Sequence, residues 1–304
     1  MKILLTEKSM YDRDREWLTQ RGFEVFYCPD DGEFDGDPAQ IDAVVCRWLF
    51  RCMPIEKFTS LKYIQLCMAG FEHMPMDYIR EHGIEFCNAR DVYSIPIAEF
   101  AIGGLLALYK QFRDFDREQH EHQWRQRGRL LELYGKNILV LGAGSIGAEF
   151  AKRFQAFGCH VTGMARTATP REYFDEMVTM AELDRCLSQA DVVVLSLPSD
   201  ENTFHIINRD TLAQMKQGAY LINICRGAVV DETALADALR SGHLGGAVLD
   251  VFEREPLPAD SPLWDMDNVI VTPHTSFGAE HNQSRLSQIL RRNLEQSRLL
   301  RGGQ

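Results

Sequence analysis

Short runs of Val, Ile and Leu alternate with amphipathic stretches from one end of this chain to the other. The runs KILLTE, FEVFY, DAVVC, KYIQLC and IEFC in the first part predict strands. Between the first two, YDRDREWLTQRG has helical periodicity and ends at a glycine. Further on, KNILVLG, CHVTGMA, ADVVVLSLP, GAYLINI, GGAVLDV and NVIVTP predict six more strands. These are apolar almost throughout instead of at every second position, as strands covered on both faces by helices must be. The pattern therefore predicts an α/β protein built on parallel sheets. Two long helices are also expected, one from about Ile95 to about Trp124 and one from about Ser276 to the C-terminus.

A length of 304 residues favours two cores over one. With 45% hydrophobic and 25% charged residues the chain has the make-up of an ordinary soluble protein, and its formal net charge of −11 argues against a nucleic-acid surface. The longest mostly apolar run, IPIAEFAIGGLLALY, is short of a membrane span and contains Glu99, so no membrane partner is expected. MKILLTEKSM reads as a first strand and not as a signal peptide. The eight cysteines form no C-x-x-C pair, and several lie in apolar runs such as AVVCRW and YIQLCMAG. Buried free thiols in a reducing, cytoplasmic setting are the expectation. His120 and His122, two apart on a predicted helix, point to different faces, and no constellation has zinc-ligand spacing; no metal is expected.

The first candidate chemistry is a G-x-G-x-x-G run in NILVLGAGSIGAEF. Taken alone it is a weak signal, but here it follows a strand and opens the amphipathic helix GAEFAKRFQAFG. Gly142 would permit the tight turn, Gly144 close approach of a pyrophosphate, and Gly147 close packing of helix on strand. The pyrophosphate would rest on N–H groups near Ser145 and Ile146. The next strand decides which dinucleotide fits. An NAD site carries Asp or Glu at its end, to accept from the ribose hydroxyls. This chain has Ala165, Arg166 and Thr167 instead. With the acid missing and a base present, NADP(H) is expected, with NAD(H) possible.

Three further residues stand in distinctive frames: Arg226 in INICRGAVVDE, Glu255 in VFEREPLP and His274 in VTPHTSF. A cation, a carboxylate and an imidazole are the minimum set for reducing a 2-oxo acid. The cation grips the substrate, the imidazole gives a proton to the carbonyl oxygen, and the carboxylate keeps the imidazole protonated.

With these motifs in place, the chain resembles the D-isomer-specific 2-hydroxyacid dehydrogenases. The likeness runs from the CMAGFEHM loop through IAEFAIGGLLALYK, LVLGAGSIG, LINICRGAVVDETALADAL and GAVLDVFEREPLP to VTPHTSF. Glyoxylate/hydroxypyruvate reductases look like the nearest functional branch. The resemblance implies two doubly wound parallel-sheet domains, Rossmann-like and flavodoxin-like, with the active site in the cleft between them. Residues 1–98 plus 276–304 would be the substrate-binding domain and 99–275 the dinucleotide-binding domain, in a homodimer. It also implies roles. Arg226 would hold the carboxylate and 2-oxo oxygen of a small 2-oxo or 2-hydroxy acid, His274 would exchange the proton, and Glu255 would fix the imidazole. Ala69 and Gly70 would offer N–H groups to the substrate carboxylate. Asp250 would face the nicotinamide carboxamide, Pro198 would line the adenine side, and Cys225 would place a thiol close to the cofactor. Arg47, in the loop Arg47–Arg51, would bind a substrate phosphate or hydroxyl, or else be a solvated arginine. Trp48 and Phe50 would line an apolar pocket or pack in the core. Other dehydrogenases of the scaffold, for phosphoglycerate or a bulkier branched 2-oxo acid, are the neighbouring readings. A dinucleotide-sensing corepressor-like protein is the reading of a different class.

Overall fold

The computed structural model describes residues 1–301, so the last three residues of the expected C-terminal helix and of the 276–304 segment lie outside the described residues. The chain divides into two units, one of Met1–Tyr93 with the stretch from Ala279 onward, the other of Ser94–Gly278.

The first unit holds strands β1 (Lys2–Leu5), β2 (Glu24–Tyr27), β3 (Ala43–Cys46), β4 (Tyr63–Leu66) and β5 (Glu85–Cys87). They pair in the order β2-β1-β3-β4-β5, all parallel. This is a doubly wound sheet of the flavodoxin order. The central strands β3 and β4 are buried along their whole length, which is why their sequences, AVVC and YIQL, carry almost no charge. The C-terminal helix Asn282–Gln296 joins this unit through a buried polar contact. Asp14, fully enclosed on the helix Lys8–Gln20, accepts from Ser287 Oγ at 2.6 Å and from Arg291 Nε at 2.8 Å. A buried carboxylate needs such partners, and here both come from the far end of the chain.

The second unit holds β6 (Asn137–Leu141), β7 (His160–Met164), β8 (Glu176–Val178), β9 (Val192–Leu195), β10 (Ala219–Asn223), β11 (Leu244–Leu249) and β12 (Val269–Val271). Their order is β12-β11-β10-β9-β6-β7-β8, again all parallel. Strand order reverses between β6 and β9, and the loops after those strands form the crevice where such sheets bind ligands.

Among the described residues, eleven of the twelve strands are those the apolar runs predict; β8 is not. It has three residues, begins with Glu176, and is a strand because it adds to the edge of β7. The first long helix is broken in two, Ser94–Tyr109 and Phe112–His120. Gln111 between them takes a left-handed conformation at φ 55°. Beyond the break Arg113 donates to the main-chain oxygen of Val269 at 2.5 Å, which ties the start of the second helix to β12. The last helix starts at Asn282, six residues later than expected, because the main chain at Thr275 and Ser276 donates to Asp250 instead of entering a helix. Among the described residues no helix is long and apolar enough to cross a membrane.

Candidate active site

His274 sits three residues past β12, with its backbone in the left-handed region at φ 48°. A non-glycine residue there is strained by about 1 kcal/mol or more and needs its surroundings to hold it. Its N–H donates to the Asp250 main-chain oxygen at 2.8 Å, and its ring Nδ1 lies 2.9 Å from Glu255 Oε2. The other carboxylate oxygen of Glu255 accepts from the Phe252 N–H at 3.1 Å. With Nδ1 committed to a carboxylate, Nε2 is the ring atom left to exchange a proton. A largely apolar cavity of about 410 Å³ borders the pair, walled by Phe252, Pro256, Leu257, Trp264, Val271 and Pro273.

Beneath His274 lies Asp250, which is completely buried. One of its carboxylate oxygens accepts from Thr272 Oγ1 at 2.6 Å and from the Thr275 N–H at 2.9 Å; the other accepts from the Ser276 N–H at 2.9 Å. Asp250, expected at the nicotinamide carboxamide, thus also braces the loop that carries His274. Of these donors only the Thr272 hydroxyl is visible in the sequence; the other two are main-chain N–H groups that any residue but proline supplies.

Arg226 follows β10 by three residues. Its Nη1 donates to the Cys225 main-chain oxygen at 2.7 Å, and the buried Asn223 amide donates to the Arg226 oxygen at 3.1 Å. Cys225 is buried, with both its N–H and its Sγ 3.2 Å from Asn223 Oδ1. Burial pushes its thiol up to about 11, against the smaller lowering effect of nearby N–H groups and Arg226. At neutral pH it is a protonated, enclosed thiol, and the thiolate is the reactive form. Alkylation at pH 7.5 is expected to label the exposed Cys52 and spare Cys225. Peptide mass spectrometry checks this; fast labelling of Cys225 would mean that its segment opens.

The glycine turn connects β6 to the helix Ser145–Ala156. Gly142 has φ +102°, and a Cβ on it would stand 2.5 Å from the Ser196 oxygen; a Cβ on Gly147 would stand 2.1 Å from the Gly142 oxygen. Over Gly144 there is nothing within 4 Å. The turn is thus closed against side chains at Gly142 and Gly147 and open at Gly144, just before a helix whose first N–H groups have no acceptor within the helix. This cradle fits a dinucleotide pyrophosphate. Beyond β7, the Ala165 N–H bonds to Val178 across to β8, and Arg166 and Thr167 are exposed. Sequence reasoning missed Arg171, which folds back from the same loop to donate to the Ala143 main-chain oxygen inside the glycine turn. Pro198, exposed after β9, has its oxygen bonded by Thr203 Oγ1 at 2.8 Å.

In the first unit, Arg47 follows β3 and Ala69–Gly70 follow β4, so both loops leave the same C-terminal sheet edge. Arg47 pairs through Nε with Glu7 at 2.5 Å. The cation at the other end of the loop, Arg51, lies over the Trp48 ring at 3.9 Å, and Trp48 packs on His73 with ring centroids 4.3 Å apart. His73 in turn bonds the Arg47 main-chain oxygen at 2.9 Å, tying the two loops together. Phe50 packs edge-on against buried Phe58. Ala69 is exposed, and its oxygen accepts from Asn88 Nδ2 at 2.7 Å.

Residues 102–276 match the model of the D-isomer specific 2-hydroxyacid dehydrogenase NAD binding domain. The chain is 36% identical over 251 residues to a D-3-phosphoglycerate dehydrogenase of Methanocaldococcus jannaschii, a match that covers 82% of this chain and 47% of that protein. It thus spans about half the length of that relative. It is 34% identical over 247 residues to a glyoxylate reductase of Thermofilum pendens, covering 77% of this chain and 71% of the other. Among solved structures it is similar to a D-isomer specific 2-hydroxyacid dehydrogenase of Xanthobacter autotrophicus in complex with NADPH and MES. There the TM-score is 0.78 and the identity 29%, over 100% of this chain and 95% of that one.

Proposed function

The chain belongs to the D-isomer-specific 2-hydroxyacid dehydrogenases, and from that membership we propose that it reduces a small 2-oxo acid of the glyoxylate or hydroxypyruvate kind with NADPH, giving the D-2-hydroxy acid. The observation that carries this reading is the His274 ring held at Nδ1 by Glu255, with Nε2 left for the substrate. In the reaction the bound reduced nicotinamide supplies the hydride. Arg226 binds the substrate carboxylate and the 2-oxo oxygen, for which its planar donor fork is suited. His274 donates a proton from Nε2 to that oxygen, and Glu255 keeps the ring in the tautomer and orientation that this requires. Ala69 and Gly70 offer N–H groups to the carboxylate, and the lack of large side chains there permits close approach. Gly142, Gly144, Ser145, Ile146 and Gly147 hold the pyrophosphate, with Pro198 on the adenine side.

Preference for NADPH rests on three observations: Ala165 stands where an acid would repel the 2′-phosphate, Arg166 is exposed beside it, and Arg171 reaches into the same turn. A homodimer is supported by large apolar side chains left exposed on one stretch of the second unit, Phe112, Trp124 and Tyr134, with Trp124 at 95% exposure.

A second reading, a phosphorylated 2-oxo acid as substrate, is favoured by Arg51. Glu7 neutralises Arg47, but Arg51 is held on Trp48 with its guanidinium available to a phosphate. The test is oxidation of NADPH, and separately NADH, with glyoxylate, hydroxypyruvate, pyruvate, ketopantoate and phosphohydroxypyruvate. Fast turnover of the first two supports the proposal, and preference for the last moves it to the phosphorylated class. Tight dinucleotide binding with no turnover would favour a sensor. In the same assay Arg166→Ala is expected to weaken NADPH by roughly tenfold to a hundredfold and NADH hardly at all. Equal losses would remove the 2′-phosphate from Arg166.

A further inference from the structure

Two glutamates outside the proton-transfer pair are joined to each other in a reciprocal arrangement. Glu232 is the first residue of the helix Glu232–Arg240, which follows the Arg226 segment; Glu253 lies two residues before Glu255. The Glu232 N–H donates to Glu253 Oε1 at 2.9 Å, and the Glu253 N–H donates to the Glu232 carboxylate. Each side chain thus caps the other's main chain. The Glu253 carboxylate also meets the positive end of a helix, where an anion is favoured. A third arm is His205, whose N–H donates to the Ala228 oxygen at 2.9 Å and whose Nε2 lies 3.3 Å from Glu253 Oε1.

The consequence for the site follows from what each segment carries. Gly227, next to Arg226, packs so closely on the other segment that a Cβ would fall 1.8 Å from the Phe252 carbonyl carbon. Phe252 in turn donates its N–H to Glu255, which holds His274. The segment bearing the substrate cation and the segment bearing the carboxylate of the proton-transfer pair therefore touch at Gly227–Phe252 and are locked at Glu232–Glu253. Part-burial, together with the neighbouring Glu253 and Glu255 charges, raises the Glu232 carboxyl above its ordinary value, although the Glu253 N–H acts the other way.

We propose that Glu232 and Glu253 are positioning residues that set the spacing between Arg226 and the His274–Glu255 pair. This rests on the dehydrogenase reading for the roles of those three residues, and on geometry alone for the clasp. Loss of the clasp lets one segment slide on the other, and a displacement of about 1 Å at a reacting centre lowers a rate by up to about a hundredfold.

The test compares Glu232→Ala with Glu232→Gln, measuring kcat, KM for the 2-oxo acid, NADPH binding by fluorescence, and amide hydrogen exchange over 251–256. Glutamine keeps an acceptor for the Glu253 N–H; alanine does not. For Glu232→Ala we expect kcat/KM to fall about 10- to 100-fold, with NADPH binding kept and exchange at 251–256 accelerated. Glu232→Gln should recover most of both losses. Equal activity in the two variants, or a loss that tracks NADPH binding, overturns the proposal. If the wild-type protein turns over none of the 2-oxo acids, the dehydrogenase reading fails separately. Amide exchange then still decides the clasp: faster exchange in the alanine variant alone supports it, and unchanged exchange removes it.

Discussion

Replacing His274 with glutamine is expected to lower kcat for 2-oxo acid reduction by roughly 10²–10⁴ while leaving dinucleotide affinity near that of the wild type. The separation of the two effects follows from where the histidine sits. Its ring bonds Glu255 at 2.9 Å and meets Phe277 edge-on, and its loop is held from Asp250; none of these residues belongs to the glycine turn. Glutamine has nearly the reach of the imidazole and can still donate to Glu255, so loop and cavity should survive. What it lacks is a proton to give up: an amide binds the 2-oxo oxygen but does not transfer to it. Initial rates over a range of substrate, with NADPH binding measured by fluorescence, check this. An unchanged kcat would take His274 out of proton transfer, and a loss confined to NADPH affinity would place it at the cofactor. Glu255→Gln should have the same sign and a smaller size, because it leaves the proton donor present but less firmly oriented.

The parts of this molecule legible in the sequence are those whose physical cause is local. Strands β1, β3, β4 and six of the second seven show because a doubly covered strand is apolar almost throughout, as AVVC, VVVL and LGGAVL are, while the edge strands β2 and β5, EVFY and EFC, show by their aromatic and small apolar residues. The dinucleotide turn shows because Gly142 and Gly147 have no room for a side chain. What stayed hidden depends on partners distant in the chain. Three-residue β8 exists only as an addition to β7, and the break at Gln111 follows from Arg113 reaching carbonyls about 155 positions away. Arg171 meets the glycine turn across 28 positions, and Glu232 meets Glu253 across 21. None of these pairings leaves a periodic trace. Asp250 is the instructive case: its frame, LDV, was noticed, but a buried carboxylate's work is defined by its donors, and those lie 22 to 26 residues further on.

Asp250→Ala is expected to give the largest loss of stability of any single change at this site, about 3–5 kcal/mol. The carboxylate is wholly enclosed and takes three hydrogen bonds, from Thr272 Oγ1, the Thr275 N–H and the Ser276 N–H. Alanine leaves the buried Ser276 N–H and the part-buried Thr275 N–H without this acceptor and takes from Thr272 Oγ1 its short bond, at about 1–3 kcal/mol each before relaxation. Relaxation means that residues 272–276 refold, which releases His274 from φ 48°, a conformation it keeps only under constraint. Activity should therefore fall with stability. Asp250→Asn separates the two consequences. It retains one oxygen, able to serve Thr272 and Thr275, but turns an NH₂ toward the Ser276 N–H, so a smaller loss of stability should still carry a clear loss of kcat. Urea unfolding followed by fluorescence, with kcat and NADPH affinity measured on the same preparations, tests both variants. Unimpaired stability of Asp250→Asn with weakened NADPH binding would place Asp250 at the nicotinamide carboxamide. Lost stability and lost kcat with NADPH binding intact would assign it to the histidine loop, where its three donors already point.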